Sequence, residues 1–431
     1  MSNSLYLDSV GTFYLSVLWY NIPIKYKTKR EVCMARIGKK NTEKVETTYV
    51  LAYRFRIFPN DKQKVIFAKT FGCARYIYNR MLSDHNTLYK EIGKVPNNTP
   101  ADYKNLDECL WLKEVDSLAL TNAQLNLSNA FQKFFDKEAN YPVFKKKGRN
   151  DSYTTNVSNI NNPNLVFMPD PVFKKTGWLK LPKINDYVKV RMHRKVKEGG
   201  ILKKACIKRE PDGKYYCSLT YEYPKQDIRK VEPKTAKGLD MKMGSLYMDN
   251  DNNTANMPQY YRKSEARLAK MQAALSHMEK GSNNYNNQKE KIARLHAKIK
   301  HQRKDYLNKE SNNLVKAYDI ICIENLNMKA MSQALSLGKS VADNGWGMFT
   351  KMLAYKAERH GKYLIKVDRF FPSSKTCLIC GHVYKELTIV DKTYKCPVCG
   401  NTINRDYQAA INILREGVRI FNEEYHIQYV L

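Results

Sequence analysis

Four cysteines near the C-terminal end constrain this chain more tightly than any other feature. Cys377 and Cys380, then Cys396 and Cys399, form two C-x2-C pairs, and glycine follows each pair at once as Gly381 and Gly400. Two intervening residues are the span of a tight knuckle turn, in which glycine lets backbone amides approach the sulfurs. Two knuckles bring four thiolates into a closed tetrahedral site, the arrangement of a single structural Zn²⁺ with no open ligand position. Thiol redox chemistry also uses C-x-x-C, but two matched pairs separated by residues 381–395 favour a metal. The other six of the ten cysteines are scattered singly, which fits a reducing compartment better than a disulfide framework.

Charge narrows the partners. Lysine and arginine total 74 against 42 acidic residues, a formal charge of +32, and a field of that size seeks a polyanion. Nucleic acid is the first expectation, because each phosphate neutralised by Lys or Arg releases condensed counterions. A membrane is not expected as the partner: no apolar run approaches the roughly 20 residues of a spanning helix. The apolar stretch from Val10 to Tyr20 lacks the basic flank of a signal peptide, so a cytoplasmic protein is expected.

Residues 1–48 show no sustained period, and Met34 stands ahead of a segment that runs into the first strand, Tyr53 to Phe58, so translation is expected to begin there. After Pro59, Phe67, Phe71, Ala74, Tyr78 and Met81 recur at steps of four and three, the stripe of an amphipathic helix. A second helix is expected from Asp116 to Asn140. From Tyr141 to Tyr223 short β-prone runs, among them Val188–Met192 and Tyr215–Tyr223, predict a small barrel or sandwich into which the helices are inserted. Beyond Gly238 the pattern becomes α/β. It has a strand to Met241 and a second near Leu246 to Met248. Two antiparallel helices follow, with Leu268, Met271, Leu275 and Met278 on one face, separated by an Asn-rich turn at Gly281 to Asn287. Then come a strand at Ile320 to Ile323, a helix from Trp346 to His360, a strand at Tyr363 to Val367 and a last helix from Asp406.

Three acidic residues stand at the ends of these apolar segments: Asp240 in Gly-Leu-Asp-Met, Glu324 in Ile-Ile-Cys-Ile-Glu-Asn-Leu, and Asp406 in Asn-Arg-Asp-Tyr-Gln-Ala-Ala. A carboxylate closing a buried strand costs desolvation energy unless it meets a cation at the sheet edge. Taken singly, each is an ordinary strand-end or helix N-terminal acid. Brought together, they can hold two Mg²⁺ ions roughly 3.5–4 Å apart and hydrolyse a phosphodiester.

With Asp-Asn-Gly-Trp-Gly-Met-Phe at 343–349 and Phe-Pro-Ser-Ser-Lys-Thr-Cys at 371–377, the chain resembles the TnpB (OrfB) family of insertion-sequence nucleases. The resemblance runs from Gly238 to Leu414 and extends, through less specific residues, to Tyr53–Leu82. It implies an RNA-guided, Mg²⁺-dependent DNA endonuclease encoded by a transposon, with guide RNA and target double-stranded DNA as partners and Asp240, Glu324 and Asp406 as a RuvC catalytic triad. The fold it implies is α+β and multidomain. Residues 49–60 and 141–232 would form a wedge-type β-barrel and 61–140 an inserted helical recognition domain. Residues 233–370 and 401–418 would form an RNase H-like (RuvC) core and 371–400 a zinc ribbon, with an N-terminal extension at 1–48 and a tail at 419–431. Lys242 and Met243 stand where many relatives carry a small residue, and Gln408 where Asn is commoner.

Two other classes suit the same residues: a miniature type V CRISPR effector, and a guide-directed or guide-independent DNA-binding protein that does not cut. For nucleic-acid contact, Lys69, Arg75, Tyr76, Asn79 and Arg80 are expected on the polar side of the first helix, where Arg and Asn can read base edges and Tyr can stack. Lys145, Lys146, Lys147 and Arg149, with Lys203, Lys204, Lys208 and Arg209, are expected to hold structured RNA. Lys375 and Arg405 are expected to steer the scissile strand. The sequence does not state an oligomeric state.

Overall fold

Tyr53, Phe55 and Ile57 alternate with Arg54 and Arg56, and that period of two sends the apolar side chains inward and the arginines outward. In the computed structural model, which describes residues 48–431 apart from 160, 226–227, 334–342 and 389–390, this strand is β1, Thr48–Phe58. The expectations about residues 1–47, the start at Met34 included, lie outside the described residues.

Asn60 then opens helix α1, Asp61–Ile92: its side chain accepts from the Gln63 amide while the Gln63 side chain accepts from the Asn60 amide. This reciprocal cap satisfies two of the orphan donors of the first turn. The helix ends where Gly93 turns left-handed at φ 65°. Its buried stripe of Phe67, Phe71, Ala74, Tyr78 and Leu82 meets α3, Ser117–Phe135, and the sheet; between them lie a short helix α2, Pro100–Lys104, and a 3-10 turn at Asp107–Glu114. The helix expected to reach Asn140 stops at Phe135, with Asp116 as its N-cap.

β1 belongs to a seven-stranded antiparallel sheet with β2 (Ser152–Asn156), β3 (Val166–Pro169), β4 (Thr176–Lys180), β5 (Val188–Arg191), β6 (Ile201–Arg209) and β7 (Tyr215–Pro224). The order is β2-β6-β7-β1-β5-β4-β3. Three strand spacings in a flat sheet are about 14 Å, yet the rings of Phe55 on β1 and Phe167 on β3 are stacked 5.9 Å apart. The sheet is therefore curled. No ladder joins β2 to β3 among the described residues, so in hydrogen bonding it is an open sheet with two edges.

The second half is built on a four-stranded sheet, order β11-β10-β8-β9, from β8 (Ala236–Met241), β9 (Tyr247–Asp249), β10 (Ile320–Glu324) and β11 (Tyr363–Val367). β10 runs parallel to β8 and β11, and β9 forms an antiparallel hairpin with β8. The excursion between β9 and β10 is a helical hairpin, α4 (Arg262–Ser276) and α5 (Asn283–Ala317), closed around Leu268, Ile292 and Ile299. Met278 lies past the end of α4. The Asn-rich run is not a turn but the first turn of α5, because the Ser282 side chain caps the Tyr285 amide. After β10 come a short helix α6, Met328–Gln333, and α7, Trp346–Arg359.

Ile321, Ile323 and Leu239 pack with α5 and α7 on one face of the sheet. Ile320 and Cys322 pack on the other against Ile413, Leu414, Val418 and Phe421 of the last helix, α8, Arg405–Tyr425. This corrects the expected tail at 419–431. α8 continues through that boundary, Phe421 is fully buried, and Tyr425, Ile427 and Tyr429 pack against the same core. A short two-stranded ribbon, β12 (Thr393–Lys395) and β13 (Thr402–Asn404), precedes α8. Among the described residues no helix is long and apolar enough to cross a membrane.

Candidate active site and metal centre

Register places two of the acidic residues side by side. Ile323 pairs with Leu239 across parallel strands, so Glu324 and Asp240 are each the next residue along, about 5 Å apart at the backbone. Side chains alternate along a strand. Because Leu239 and Ile323 face α5 and α7, Asp240 and Glu324 face the opposite side, where α8 lies. Asp406 is in the first turn of α8. Asn404 caps that turn by accepting from the Tyr407 amide.

Asp240 senses the other two carboxylates. Burial lifts the Asp240 carboxyl well above the ordinary carboxylate range, the charges of Glu324 and Asp406 lift it further, and Arg405 and Lys242 offset only part of this. Burial raises Glu324 as well, against the opposing hydrogen bond from Ser373. Asp406 is paired with Lys242 Nζ at 3.6 Å and with Arg405 at 3.3 Å. All the donor atoms here are carboxylate oxygens, the hard set that Mg²⁺ takes. They are not as compact as the cysteine group described next, the only cluster of that tightness among the described residues.

The sulfurs of Cys377, Cys380, Cys396 and Cys399 all lie within 4.8 Å of one another. Cys377 and Cys399 are 3.6 Å apart and Cys380 and Cys396 3.5 Å. For Zn–S bonds of about 2.3 Å, a tetrahedron has edges of roughly 3.8 Å, so the cluster has the size of a four-thiolate metal site. The two knuckles match in detail. The amides of Gly381 and Gly400 donate to the carbonyls of Cys377 and Cys396, at 3.1 and 3.0 Å. Cys377 and Cys396 in turn donate to His382 and Asn401, at 2.9 and 2.8 Å. Both glycines have φ of 72°, a conformation strained for any residue with a Cβ. Burial pushes the Cys396 thiol up, but the amides of Cys399 and Val398 and the neighbouring sulfurs outweigh it and bring it down to about 6.

Several of the basic residues expected to contact nucleic acid have partners within the chain. Lys69 pairs with Glu114 at 2.6 Å, Arg75 with Asp151 at 3.3 Å and Arg80 with Asp84 at 3.2 Å. Tyr76 meets Cys109 Sγ at 3.1 Å, and Asn79 bonds the Lys145 backbone in both directions. Arg75, Tyr76, Asn79 and Arg80 line one shallow depression; Lys69 is not part of it. Arg75 also lines a cavity of about 460 Å³ together with Lys145, Lys146 and Arg149, between α1, α3 and β2. Lys147 is exposed in the same segment but outside the cavity lining. Lys203 and Lys204 are on β6, with Lys203 paired to Glu222 at 2.7 Å. Lys208 Nζ is 3.7 Å from Glu210, and Arg209 lies over the Tyr215 ring at 6.0 Å. Lys375 and Arg405 donate to the carbonyls of Lys385 and Thr388 and so brace the cysteine segment.

Sequence reasoning missed two groups that organise the site. Asn344, buried, donates to the carbonyls of Lys242 at 3.1 Å and Ser245 at 2.5 Å, and so ties down the turn that follows Asp240. Ser373 bonds Glu324. Both lie inside motifs recognised in the sequence, yet nothing in their spacing states what they touch.

Comparison with known proteins bears on this architecture. Residues 346–413 match a family model described as "Cas12f1-like, TNB domain", residues 218–335 one described as "Probable transposase" of the OrfB type, and residues 50–94 a "Helix-turn-helix domain" of the same type. The last region is in fact β1 followed by one uninterrupted helix. A protein of Streptomyces pristinaespiralis named "Putative RNA-guided DNA endonuclease" is 32% identical over 85% of this chain and 89% of its own length. A protein of Escherichia coli named "Putative RNA-guided DNA endonuclease InsQ" is 30% identical over 85% of this chain and 92% of its own. In fold, the protein of a cryo-EM Cas12f1–sgRNA–target DNA complex aligns with a TM-score of 0.55 and 11% identity, over 85% of this chain and 99% of that one.

Proposed function

The chain belongs to the TnpB (OrfB) family, and on that premise we propose that it is an RNA-guided DNA endonuclease that hydrolyses phosphodiester bonds at Asp240, Glu324 and Asp406. The observation that carries the proposal is the convergence of three carboxylates from β8, β10 and α8 at one end of a sheet, where burial and the charges of Glu324 and Asp406 raise the proton affinity of Asp240. Such a group is unfavourable without a cation. Asp240, Glu324 and Asp406 would hold two Mg²⁺ ions, which when bound supply activation of a water and charge stabilisation at the leaving oxygen. Lys242 and Arg405 flank Asp406 and keep that end of the site electropositive toward a phosphate.

In this reading residues 233–370 and 401–431 are an RNase H-like (RuvC) core, 49–60 and 141–232 a wedge-type barrel, 61–140 a recognition domain and 371–400 a ribbon holding one structural Zn²⁺. The depression at Arg75, Tyr76, Asn79 and Arg80 and the basic segment Lys145–Arg149 are its nucleic-acid surface, with guide RNA and target DNA as partners.

Purifying the protein with its flanking DNA co-expressed and sequencing the retained RNA tests guide use. One dominant species with a variable end is expected, and a random RNA population would refute it. The source of that RNA, transposon end or repeat array, separates this reading from a miniature type V CRISPR effector. In the same preparation Asp240→Ala should abolish cutting and spare DNA binding, because phosphate contacts lie elsewhere.

A further inference from the structure

Asp406 has cationic neighbours, but Glu324 has a different companion. Its Oε1 accepts a hydrogen bond from Ser373 Oγ, and Ser373 is only 4% exposed. The serine belongs to no strand or helix, so something else must hold it. Asn412 of α8, itself buried, donates from Nδ2 to the Ser373 carbonyl at 2.7 Å and to the Thr376 carbonyl at 2.8 Å. The turn is closed from within, since the amide and hydroxyl of Thr376 both donate to the Pro372 carbonyl, at 3.0 and 2.8 Å. Cys377 of the sulfur cluster follows directly.

A hydroxyl held this firmly does two things to a carboxylate. It favours the ionised form against the desolvation that opposes it. It also occupies one oxygen and so fixes the plane of the other, as outer hydrogen bonds do for groups that ligate metals. Without it, Glu324 would lose rotational freedom on meeting a cation and pay for that in affinity.

We propose that Ser373 is a positioning residue for Glu324, its hydroxyl orienting the carboxylate toward a divalent cation while Asn412 fixes the serine. This rests on the reading of Glu324 as a cation ligand in the proposed nuclease.

The test uses the full-length protein with its bound RNA, measuring cleavage against Mg²⁺ concentration for Ser373→Ala and Ser373→Thr, with zinc content and guided DNA binding measured on the same samples. Ser373→Ala should raise the Mg²⁺ concentration for half-maximal rate by roughly tenfold or more, leave zinc and DNA binding at wild-type levels, and be restored toward wild type by Ser373→Thr. An unchanged Mg²⁺ requirement in Ser373→Ala, or a loss of rate that extra Mg²⁺ does not recover, overturns the proposal. Ser373→Cys, a weaker donor of similar size, must shift the requirement in the same direction if the alanine variant does not fold. Glu324→Gln separates the two levels of argument. If it cuts normally, the reading of the site fails; if it is inactive while Ser373→Ala is indifferent to Mg²⁺, only the role given to Ser373 fails.

Discussion

Gly238 lies directly beneath Ala410: a Cβ on the glycine would stand 2.3 Å from the Ala410 carbonyl oxygen and 2.7 Å from Leu414 Cβ. The same helix meets the neighbouring strand in the same way, since a Cβ on Gly417 would stand 2.4 Å from Cys322 Sγ. α8 is thus seated on β8 and β10 at two points where only hydrogen fits between the partners. Asp240 is two residues beyond Gly238 and Asp406 four residues before Ala410, so this close seating sets the separation of the carboxylates.

Gly238→Ala should therefore cost more in activity than in stability. A methyl forced against backbone and Leu414 displaces the helix, and overpacking of this kind costs about 1–3 kcal/mol. The expected result is a lowered denaturation midpoint in a protein that still folds, with cleavage reduced more than tenfold at saturating Mg²⁺. Retention of full cleavage alongside a lowered midpoint would mean that the helix position does not govern the site.

What the sequence made legible was local. The cysteine pairs announce themselves by spacing, Tyr363–Val367 is a strand with the boundaries expected, and the stripe from Phe67 to Tyr78 is a helix face. What stayed hidden depends on residues far apart in the chain. β1 pairs with β7 from Thr48↔Pro224 onward, and no periodicity states a partner. Lys69 and Arg75 read as open cations because Glu114 and Asp151, which pair with them, come from distant parts of the chain. Residues 419–431 looked like a tail because Ile427 and Tyr429 have no period, although both pack on the core that Phe421 and Tyr363 build. Ser373 was visible as part of a motif, but its bond to Glu324 joins the end of β10 to a turn beyond β11.

The raised proton affinity of Asp240 and Glu324 gives a stability signature. Both groups bind protons more tightly folded than unfolded, so the metal-free protein is favoured below the ordinary carboxylate range and loses stability as pH rises through their raised values. A divalent cation takes the place of the proton. The melting temperature gained on adding Mg²⁺ should grow with pH, and Asp240→Asn should flatten the metal-free decline and remove most of that gain. Parallel melting curves with and without Mg²⁺ across this range would contradict the site.

Loss of one sulfur should be felt beyond the ribbon. Cys377 follows the turn that carries Ser373, and the ribbon strand Thr402–Asn404 runs into α8 and Asp406. Cys396→Ala would leave three sulfurs where a closed site needs four thiolates. Zinc measured by atomic emission should fall to background, and cleavage should fall with it. A metal-free protein with wild-type cleavage would separate the ribbon from the nuclease.

Lys242 offers a test at the third carboxylate. Its Nζ is 3.6 Å from Asp406 Oδ2, with both side chains about one-quarter exposed (28% and 24%), and its charge also acts on Asp240. An ammonium in that position neutralises the oxygens that Mg²⁺ would take, so the cation must displace it. A partly exposed pair contributes on the order of 1 kcal/mol, which corresponds to roughly a fivefold change in an equilibrium constant. Lys242→Met should therefore lower the Mg²⁺ concentration for half-maximal cleavage by about that factor, while Lys242→Arg, which keeps the charge, should leave it near wild type. If Lys242→Met instead raises the requirement, the lysine supports the cation site rather than competing for it. The ion pair would then have to persist with metal bound.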